Sequence, residues 1–508
     1  MADDLAPAPH SHADKPRTEP VRTSNGPVRG YRDAGLSVFR GLRYGAAPTR
    51  LSRFKPPSPP APWTEPADAV AYGAPAIQSG LAPGERRSSP ADPPAPEEPG
   101  SSEDCLFLNV WTPGTDAAKR PVMVWLHGGG FANGSGGAAM YDGGALARKG
   151  DVVVVTVNHR LNVFGYLHLG EVFGADYAQS GVAGMLDIVQ ALRWVADNIA
   201  TFGGDPGNVT IFGESGGGWK VSLLMAMPGA RGLFHKAVVQ SGPGLTGKRV
   251  ADATATAKAL LAKLGVSTPE ALAALPTELV SKASVTIGGE PMRLYTPVVD
   301  GAALPRDPFE PDASPLNADV PVLIGTNKDE STLFMFSHPR FGEFTEDDVA
   351  KHAKTAAGDK ADALVAALRR AYPDYNPTHL AAACQTATGM WAGSIKLAER
   401  KAAQGSAAVY MYMLTWETPV SRGRLRSPHA LEIPLVFDNV EAARNFVGRG
   451  EEPQIVADQM SDAWLAFART GDPGWPAYDA ATRTTKLFDV ESRLVDDPLP
   501  EVRQVLFG

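Results

Sequence analysis

One five-residue stretch, Gly213-Glu214-Ser215-Gly216-Gly217, limits the folds open to this chain more than any other part of its sequence. It follows the apolar run 209–212 and precedes a helix-like stretch from Trp219 to Met227. A strand that turns sharply into a helix needs glycines around the turn, because larger side chains would collide there. The stretch therefore predicts a strand, an accessible serine and a helix, in that order.

Short apolar runs alternate with longer helical patterns along most of the chain. The runs that predict strands are 121–127, 152–158, 209–213, 236–241, 322–326 and 409–415. Helical patterns cover 186–202, 251–264, 345–372, 377–403 and 454–470. This alternation predicts an α/β fold, with a mostly parallel, twisted central sheet and helices on both of its faces.

Two polar, proline-containing stretches stand apart from this pattern. We expect residues 1–20 to be a disordered leader and residues 80–100 to be a long surface loop. The remainder, 21–508, is predicted to form a single catalytic domain with helical insertions.

Charge and hydropathy exclude several classes of partner. The net charge is −8, from 48 basic and 56 acidic residues without a long basic run, which argues against nucleic acid. No apolar run approaches the roughly 18 residues of a membrane span, and the N-terminus does not resemble a secretory signal. We expect a cytoplasmic protein without a membrane partner, in which Cys105 and Cys384 are buried, reduced thiols. The oligomeric state stays open.

A serine hydroxyl is a weak nucleophile at neutral pH, so Ser215 would need a base, an orienting acid and donors for an oxyanion. The stretch His127-Gly128-Gly129-Gly130-Phe131 directly follows a predicted strand, and its glycines leave backbone N–H groups unshielded. Such a turn supplies an oxyanion hole in esterases, together with the N–H of the residue after the nucleophile, here Gly216. The alternative interpretation is a flexible glycine loop.

Several further motifs occur in an order that resembles the type B carboxylesterases, a family that includes cholinesterases and bacterial p-nitrobenzyl esterases. The resemblance covers about residues 21 to 505 and rests, beside the two glycine turns, on the stretches 26–30, 39–45, 102–111, 202–210, 467–473 and 475–476. It implies an α/β-hydrolase fold. It also implies a serine carboxylesterase that acts on small-molecule esters through an acyl-enzyme on Ser215.

The resemblance assigns the other catalytic roles by position. Glu330, after the predicted strand 322–326, matches the acid of the triad, and His429 matches the base. Spacing alone does not exclude the adjacent Asp329 as the acid. An unperturbed histidine titrates near ~6.5, which is where the acid limb of activity is expected. The donors of the oxyanion hole would be the N–H groups of Gly129, Gly130 and Gly216, and no metal or organic cofactor is expected.

The helix after the nucleophile departs from the family pattern. Relatives commonly have alanine at the position of Gly216 and small residues at those of Trp219 and Lys220. Trp219, with Phe131, is a candidate for substrate binding, and core packing is the alternative for Trp219. Lys220 is unusual in a helix expected to be buried. A salt bridge or an exit of the side chain to the surface is favoured over a catalytic lysine.

Other departures bear on compartment and substrate. Secreted relatives pair the cysteine at the position of Cys105 with an upstream cysteine, but Ala76 stands at or near that place. The absence of that partner favours a reducing compartment. No aromatic residue occurs between Ile77 and Asp104, which disfavours a specialist for choline esters. Two alternatives to an esterase stay open: a carbamate or amide hydrolase with the same triad, and a non-catalytic interaction protein on this fold.

Overall fold

The computed structural model describes residues 14–85 and 98–508, which divide into two compact units. The first unit holds the chain up to Thr210 and the segments Met227–Phe234 and Gly247–Arg306. The second holds Ile211–Ala226, His235–Thr246 and Asp307–Gly508. Parts of the predicted leader, 1–13, and of the predicted loop, 86–97, lie outside the described residues.

The described strands are numbered in chain order. They are β1 Val21–Arg22, β2 Pro27–Arg29, β3 Tyr31–Asp33, β4 Leu36–Arg43, β5 Ala67–Asp68, β6 Phe107–Thr112, β7 Arg120–Leu126, β8 Val153–Val157, β9 Gly204–Glu214, β10 Lys236–Gln240, β11 Val322–Asn327, β12 Val409–Leu414, β13 Thr484–Phe488 and β14 Arg493–Asp496.

In the first unit, the strand order of the main sheet is β3-β4-β6-β8-β7, followed by the first part of β9. The pair β7 and β8 is parallel, whereas β3, β4, β6 and β8 pair antiparallel in that order. Every residue of β8, Val-Val-Val-Thr-Val, is buried, as expected for a strand covered on both faces. A small separate sheet consists of β1, β2 and β5.

In the second unit, the last part of β9 is followed by β10-β11-β12-β13-β14. The pairs from β10 to β13 are parallel, and only β14 at the edge runs antiparallel. Strands β10, β11 and β12 are buried along their whole lengths. The ends of β9 and β11 carry the residues of interest for catalysis.

The α-helices are also numbered in chain order. They are α1 Gly144–Gly150, α2 Asn162–Tyr166, α3 Gly170–Phe173, α4 Ala183–Asn198, α5 Gly216–Leu224, α6 Val250–Leu264, α7 Pro269–Ala274, α8 Thr277–Ser284, α9 Pro291–Leu294, α10 Ser331–Met335, α11 Glu346–Ala357, α12 Ala361–Ala371, α13 Pro377–Thr386, α14 Ala392–Ala402, α15 Glu432–Val436, α16 Arg444–Val447, α17 Glu452–Thr470 and α18 Pro500–Phe507. Among the residues described, no helix is both long and apolar enough to cross a membrane.

The predicted α/β class and its mostly parallel sheet are confirmed, with each predicted strand found within a few residues. One predicted long helix is wrong in one respect. The pattern 345–372 forms α11 and α12, which part at Gly358, a residue with φ 57°. The predicted helix 377–403 is confirmed: α13 continues through a π-helical turn at Ala387–Trp391 into α14, which ends at Ala402. Strands β1 to β6, β13 and β14 were not predicted.

Candidate active site

Ser215 occupies the sharp turn that the glycine pattern predicts. It lies between the end of β9 and the start of α5, with φ 56° and ψ −121°, a strained conformation for a residue other than glycine. Its N–H donates to the carbonyl of Gln240 at 2.9 Å, and its carbonyl accepts from the N–H of Trp219 at 3.0 Å. Its side chain is half-buried while Glu214 and Gly216 on either side are buried, so the turn presents the hydroxyl.

The turn depends on the close approach of a second loop. A Cβ atom on Gly242 would lie 1.9 Å from the carbonyl oxygen of Ser215. No side chain fits at that separation, so Gly242 is required by the packing against the turn. The segment that holds Ser215 in place therefore includes residues beyond the five-residue motif.

Glu330 and His429, the acid and base that the resemblance implies, are in direct contact. Nδ1 of His429 lies 2.6 Å from Oε2 of Glu330, and the other oxygen of Glu330 accepts the N–H of Asn327 at 2.8 Å. Both side chains are buried, with relative exposures of 4% for His429 and 0% for Glu330. This contact fixes the orientation of the imidazole, as an orienting carboxylate does in serine hydrolases.

Asp329, the alternative acid, faces other groups. One of its carboxylate oxygens accepts the hydroxyl of Tyr375, and the other accepts the N–H of Ser427 at 3.2 Å. Its own N–H donates to the carbonyl of Ser427 at 2.9 Å. Burial raises the pKa of Asp329 to about 6. Asp329 thus fixes the backbone that leads to His429 and does not contact the ring.

A second carboxylate lies at the opposite edge of the imidazole. Oε1 of Glu214 is 2.9 Å from Nε2 of His429, so the ring stands between Glu214 and Glu330. Burial lowers the pKa of His429, but the two carboxylates outweigh burial, and the net result is a pKa well above 6.5. The histidine is held in its protonated form more strongly than a solvent-exposed one.

Glu432 completes a buried set of carboxylates around the base. Its Oε2 accepts the side-chain amide of Asn327 at 2.6 Å, and its Oε1 lies 3.4 Å from Nε2 of Gln240. Burial, together with the nearby Glu214 and Glu330, raises the pKa of Glu432 to about 8. Glu432 therefore carries its proton at neutral pH.

Sequence reasoning missed Glu214 and Glu432, although each had a signal. Glu214 directly precedes the nucleophile in the sharp turn. Glu432 interrupts the apolar stretch 430–436, and an acidic residue amid apolar ones is buried only with a partner.

The glycine turn belongs to the first unit, whereas Ser215, Gly216, Glu330 and His429 belong to the second. Gly129 and Gly130 have φ values of 77° and 62°, in the left-handed region that favours glycine. A Cβ on Gly129 would lie 2.5 Å from the carbonyl oxygen of Asn133, so this turn, too, needs glycine. It is an ordered turn of defined conformation.

The two aromatic candidates for substrate binding are differently placed. Phe131 is fully buried and packs edge-on against Tyr166, with 5.2 Å between ring centroids. Trp219 is half-buried, and its indole N–H donates to the carbonyl of Thr246 at 3.2 Å. Substrate contact by either residue stays a prediction.

An exposed aromatic ring, which was not predicted, packs against the imidazole of His429. Phe334 has a relative exposure of 55%, and its ring centroid lies 4.8 Å from that of His429.

Lys220 does not reach the surface: its exposure is 0%, and burial lowers its pKa to about 7 while Glu214 acts in the opposite direction. Of the two interpretations for this lysine, the exit to the surface is wrong. Within 14–85 and 98–508, no three or more His, Cys, Asp or Glu residues are arranged to hold a metal ion.

Comparison with known proteins places the chain in a family. A family model described as the Carboxylesterase family matches residues 17–495. The para-nitrobenzyl esterase of Bacillus subtilis (strain 168) is 36% identical over 96% of this chain and 98% of its own length. The phenmedipham hydrolase of Pseudarthrobacter oxydans is 35% identical over 91% of this chain and 94% of its own length.

Solved structures agree with this result. The carboxylesterase EST55 of Geobacillus stearothermophilus, crystallised at pH 6.2, has a TM-score of 0.83 and 39% identity over 96% of this chain and 99% of its own. The chain therefore belongs to the carboxylesterase family of type B, with its α/β-hydrolase fold. It is a hydrolase of carboxylic esters.

Proposed function

We propose that this esterase works through a covalent acyl-enzyme on Ser215. His429 takes the proton of the Ser215 hydroxyl as it attacks the ester carbonyl, and returns it to the leaving alcohol. Water then repeats the cycle on the acyl-enzyme. Glu330 orients the imidazole and stabilises its charge during each proton transfer.

The oxyanion that forms at each step requires donors. We assign this role to the N–H groups of Gly129, Gly130 and Gly216, because a glycine has no side chain of its own to shield its backbone N–H. Neither a metal nor an organic cofactor takes part. Phe131 and Trp219 are proposed as contacts of the substrate.

The proposal also covers the domain organisation of the enzyme and its location in the cell. Residues 21–508 are taken as one catalytic domain after a leader of 1–20, and the location is taken as cytoplasmic, without a nucleic-acid or membrane partner. Cys105 and Cys384 are both free and buried, which supports a reducing compartment. Cell fractionation with an antibody against the chain would test the location.

The single observation that carries the mechanism is the contact between Glu330 and His429 at 2.6 Å, in the same unit as the strained turn of Ser215. The buried acid and base together with a presented hydroxyl are the parts that acyl transfer needs. A non-catalytic protein would have no use for this arrangement.

The test is a rapid-quench experiment with p-nitrophenyl acetate, followed by mass spectrometry of proteolytic peptides. The peptide that contains Ser215 should gain one acetyl group, and Ser215→Ala should gain none and lose turnover. Acetyl on another serine would contradict the assignment. The same enzyme, assayed on p-nitrophenyl esters of rising chain length, on aryl carbamates including phenmedipham, and on anilides, decides among the alternatives.

A further inference from the structure

Two hydrogen-bonded residues connect the loop of His429 to the end of β11, where Glu330 lies. The N–H of Asp329 donates to the carbonyl of Ser427 at 2.9 Å, and the N–H of Ser427 donates back to the carboxylate of Asp329 at 3.2 Å. Ser427 precedes His429 by two residues. Asp329 therefore binds both backbone groups of a residue close to the base, and through them it holds the loop that carries the imidazole.

A tyrosine from another part of the chain binds Asp329 in turn. Tyr375 lies between α12 and α13, and its hydroxyl donates to the carboxylate oxygen of Asp329 that does not contact Ser427. Burial and the neighbouring Asp329 raise the pKa of Tyr375 well above 10, so the hydroxyl keeps its proton and is the donor. Asp329, with a pKa of about 6, is a carboxylate at neutral pH and accepts. The bond is therefore a charge-assisted one between two buried side chains.

The ring of Tyr375 makes two contacts that do not involve its hydroxyl. It stacks on the ring of Tyr372, with 4.5 Å between the centroids and 12° between the planes, and the guanidinium of Arg426 lies 4.4 Å from its centroid. Arg426 also pairs with Asp374 and Glu417, each at 3.0 Å. A phenylalanine at this position would keep the ring contacts and lose only the hydroxyl, so the effect of the hydroxyl can be measured separately from that of the packing.

We propose that Tyr375 is a positioning residue that acts on His429 through Asp329. The inference rests on the proposed role of His429 as the base. Without the hydroxyl of Tyr375, one oxygen of a buried carboxylate loses its donor, and such a group turns to another partner or takes up a proton. Either change weakens the hydrogen bond from Ser427 to Asp329. The loop can then shift and move the imidazole away from its contact with Glu330.

The kinetic test compares Tyr375→Phe with the wild type on p-nitrophenyl acetate. The variant should have a kcat roughly tenfold lower and a KM within about twofold of the wild-type value, because a displaced base slows the chemical step and does not change the binding of the ester. A general structural role would not separate the two constants in this way. An unchanged kcat, or a change in KM alone, would overturn the inference.

Tyr372→Phe is the matched control. The ring of Tyr372 stacks on that of Tyr375, but its hydroxyl makes no hydrogen bond with any residue of 14–85 and 98–508. Its replacement should leave both kinetic constants unchanged. An equal loss of kcat in the two variants would show that the aromatic packing, and not the bond to Asp329, supports the rate, and would overturn the inference.

Hydrogen exchange, read by mass spectrometry, follows the loop without any substrate. The N–H of Ser427 donates to the carboxylate of Asp329, and the N–H of His429 donates to the carbonyl of Glu330 at 3.3 Å. In Tyr375→Phe, the peptide that contains both N–H groups should exchange faster than in the wild type, whereas peptides of α17 should not. Unchanged exchange in the loop, or faster exchange throughout the second unit, would overturn the inference.

A double-mutant cycle tests whether Tyr375 acts through Asp329. In the background of Asp329→Ala, which removes the acceptor, Tyr375→Phe should lower kcat little or not at all. Losses that multiply in the double variant would contradict the inference.

If Tyr375→Phe does not fold, as judged by circular dichroism, Asp329→Ala is compared with Asp329→Asn. The amide can accept the N–H of Ser427 and donate to the oxygen of Tyr375, so Asp329→Asn should retain most of the kcat that Asp329→Ala loses, and equal losses would overturn the inference. An inactive wild type, or one that is acylated elsewhere than at Ser215, would instead refute the proposed function. The exchange experiment does not depend on activity, so the two failures are distinguishable.

Discussion

At the scale of single residues, the choice between two adjacent carboxylates decides how the base is held. Glu330 contacts the ring of His429, whereas Asp329 contacts Tyr375 and the backbone of Ser427. The two side chains leave the end of β11 in different directions, so only one of them can face the imidazole. The position of Glu330 in the family motif and its contact with His429 thus favour the same residue as the acid of the triad.

Glu330→Gln should lower the chemical rate by orders of magnitude and leave substrate binding nearly intact. The analogous neutralisation of a triad acid on another fold costs ~10⁴-fold in kcat. Asp329→Asn should have only a small effect, because an amide still accepts the N–H of Ser427 and can pair with Tyr375. Single-turnover kinetics with both variants make the measurement, and the reverse ranking would assign the orienting role to Asp329.

The pH dependence follows from the two carboxylates at the imidazole. Glu214 and Glu330 outweigh burial and hold the pKa of His429 well above 6.5. As the pH falls through that raised value, the ring takes a proton and can no longer act as a base. The acid limb of kcat/KM should therefore have its midpoint above the value near ~6.5 that is expected of an isolated histidine.

A stopped-flow pH series with a fast ester measures this limb. One proton should account for it, and His429→Gln should reduce the rate at every pH. A midpoint at or below ~6.5 would show that the free enzyme holds His429 away from Glu214. An unaltered rate in His429→Gln would remove this residue from the mechanism.

At the scale of secondary-structure elements, local patterns predicted the parts of the site that one segment forms by itself. The turn at Ser215 was predictable because an apolar run, glycines and a helical pattern adjoin in sequence. The break between α11 and α12 was not, because Gly358 is a single glycine in a strongly helical pattern. Strands β1 to β6, β13 and β14 were missed because their residues form neither an unbroken apolar run nor a clear alternation of apolar and polar residues.

The residues that surround Ser215 in the site could be predicted only in part from the sequence. Glu330 and His429 were found through resemblance, because no local pattern connects positions so far apart in sequence. Glu214 and Glu432 were missed, since their role arises from which side chains the folded chain brings to one imidazole. The burial of Lys220 could be predicted from its helix.

The close packing of Gly242 on the turn of Ser215 gives a prediction at this scale. Gly242→Ala should reduce activity strongly and lower the free energy of unfolding by ~1–3 kcal/mol, because its Cβ would lie 1.9 Å from the carbonyl oxygen of Ser215. Gly389→Ala is the control: a Cβ there would meet no atom within 4 Å. Urea unfolding and esterase assays of both variants make the comparison. Equal behaviour of the two variants would show that the turn tolerates displacement.

At the scale of the whole molecule, the two compact units share one strand. Residues 204–210 of β9 belong to the first unit and residues 211–214 to the second. Strand β9 therefore passes from one unit into the other without an intervening linker. This sharing supports the prediction that residues 21–508 behave as one domain, in spite of the division into two compact units.

The two cysteines provide a probe of that prediction, since each unit contains one. Cys105 lies in the first unit and Cys384 in the second, and both are free, with exposures of 1% and 0%. Burial raises the pKa of Cys105 well above 9 and that of Cys384 to about 12. Because the thiolate is the reactive form, both should resist a thiol reagent in the native protein.

Unfolding in urea without a reductant should expose two reactive thiols, and both should become reactive over the same range of urea concentration. The physical reason is that one continuous strand, β9, runs from the first unit into the second. Pulsed labelling with a maleimide, read by mass spectrometry of the two cysteine peptides, gives a separate curve for each thiol. Cys105→Ala and Cys384→Ala serve as controls that the label itself does not alter the transition.

If one thiol reacts at a clearly lower urea concentration than the other, the units unfold separately and the chain has two domains. If neither thiol reacts after full unfolding, the cysteines are bridged, and the expectation of a reducing compartment is wrong.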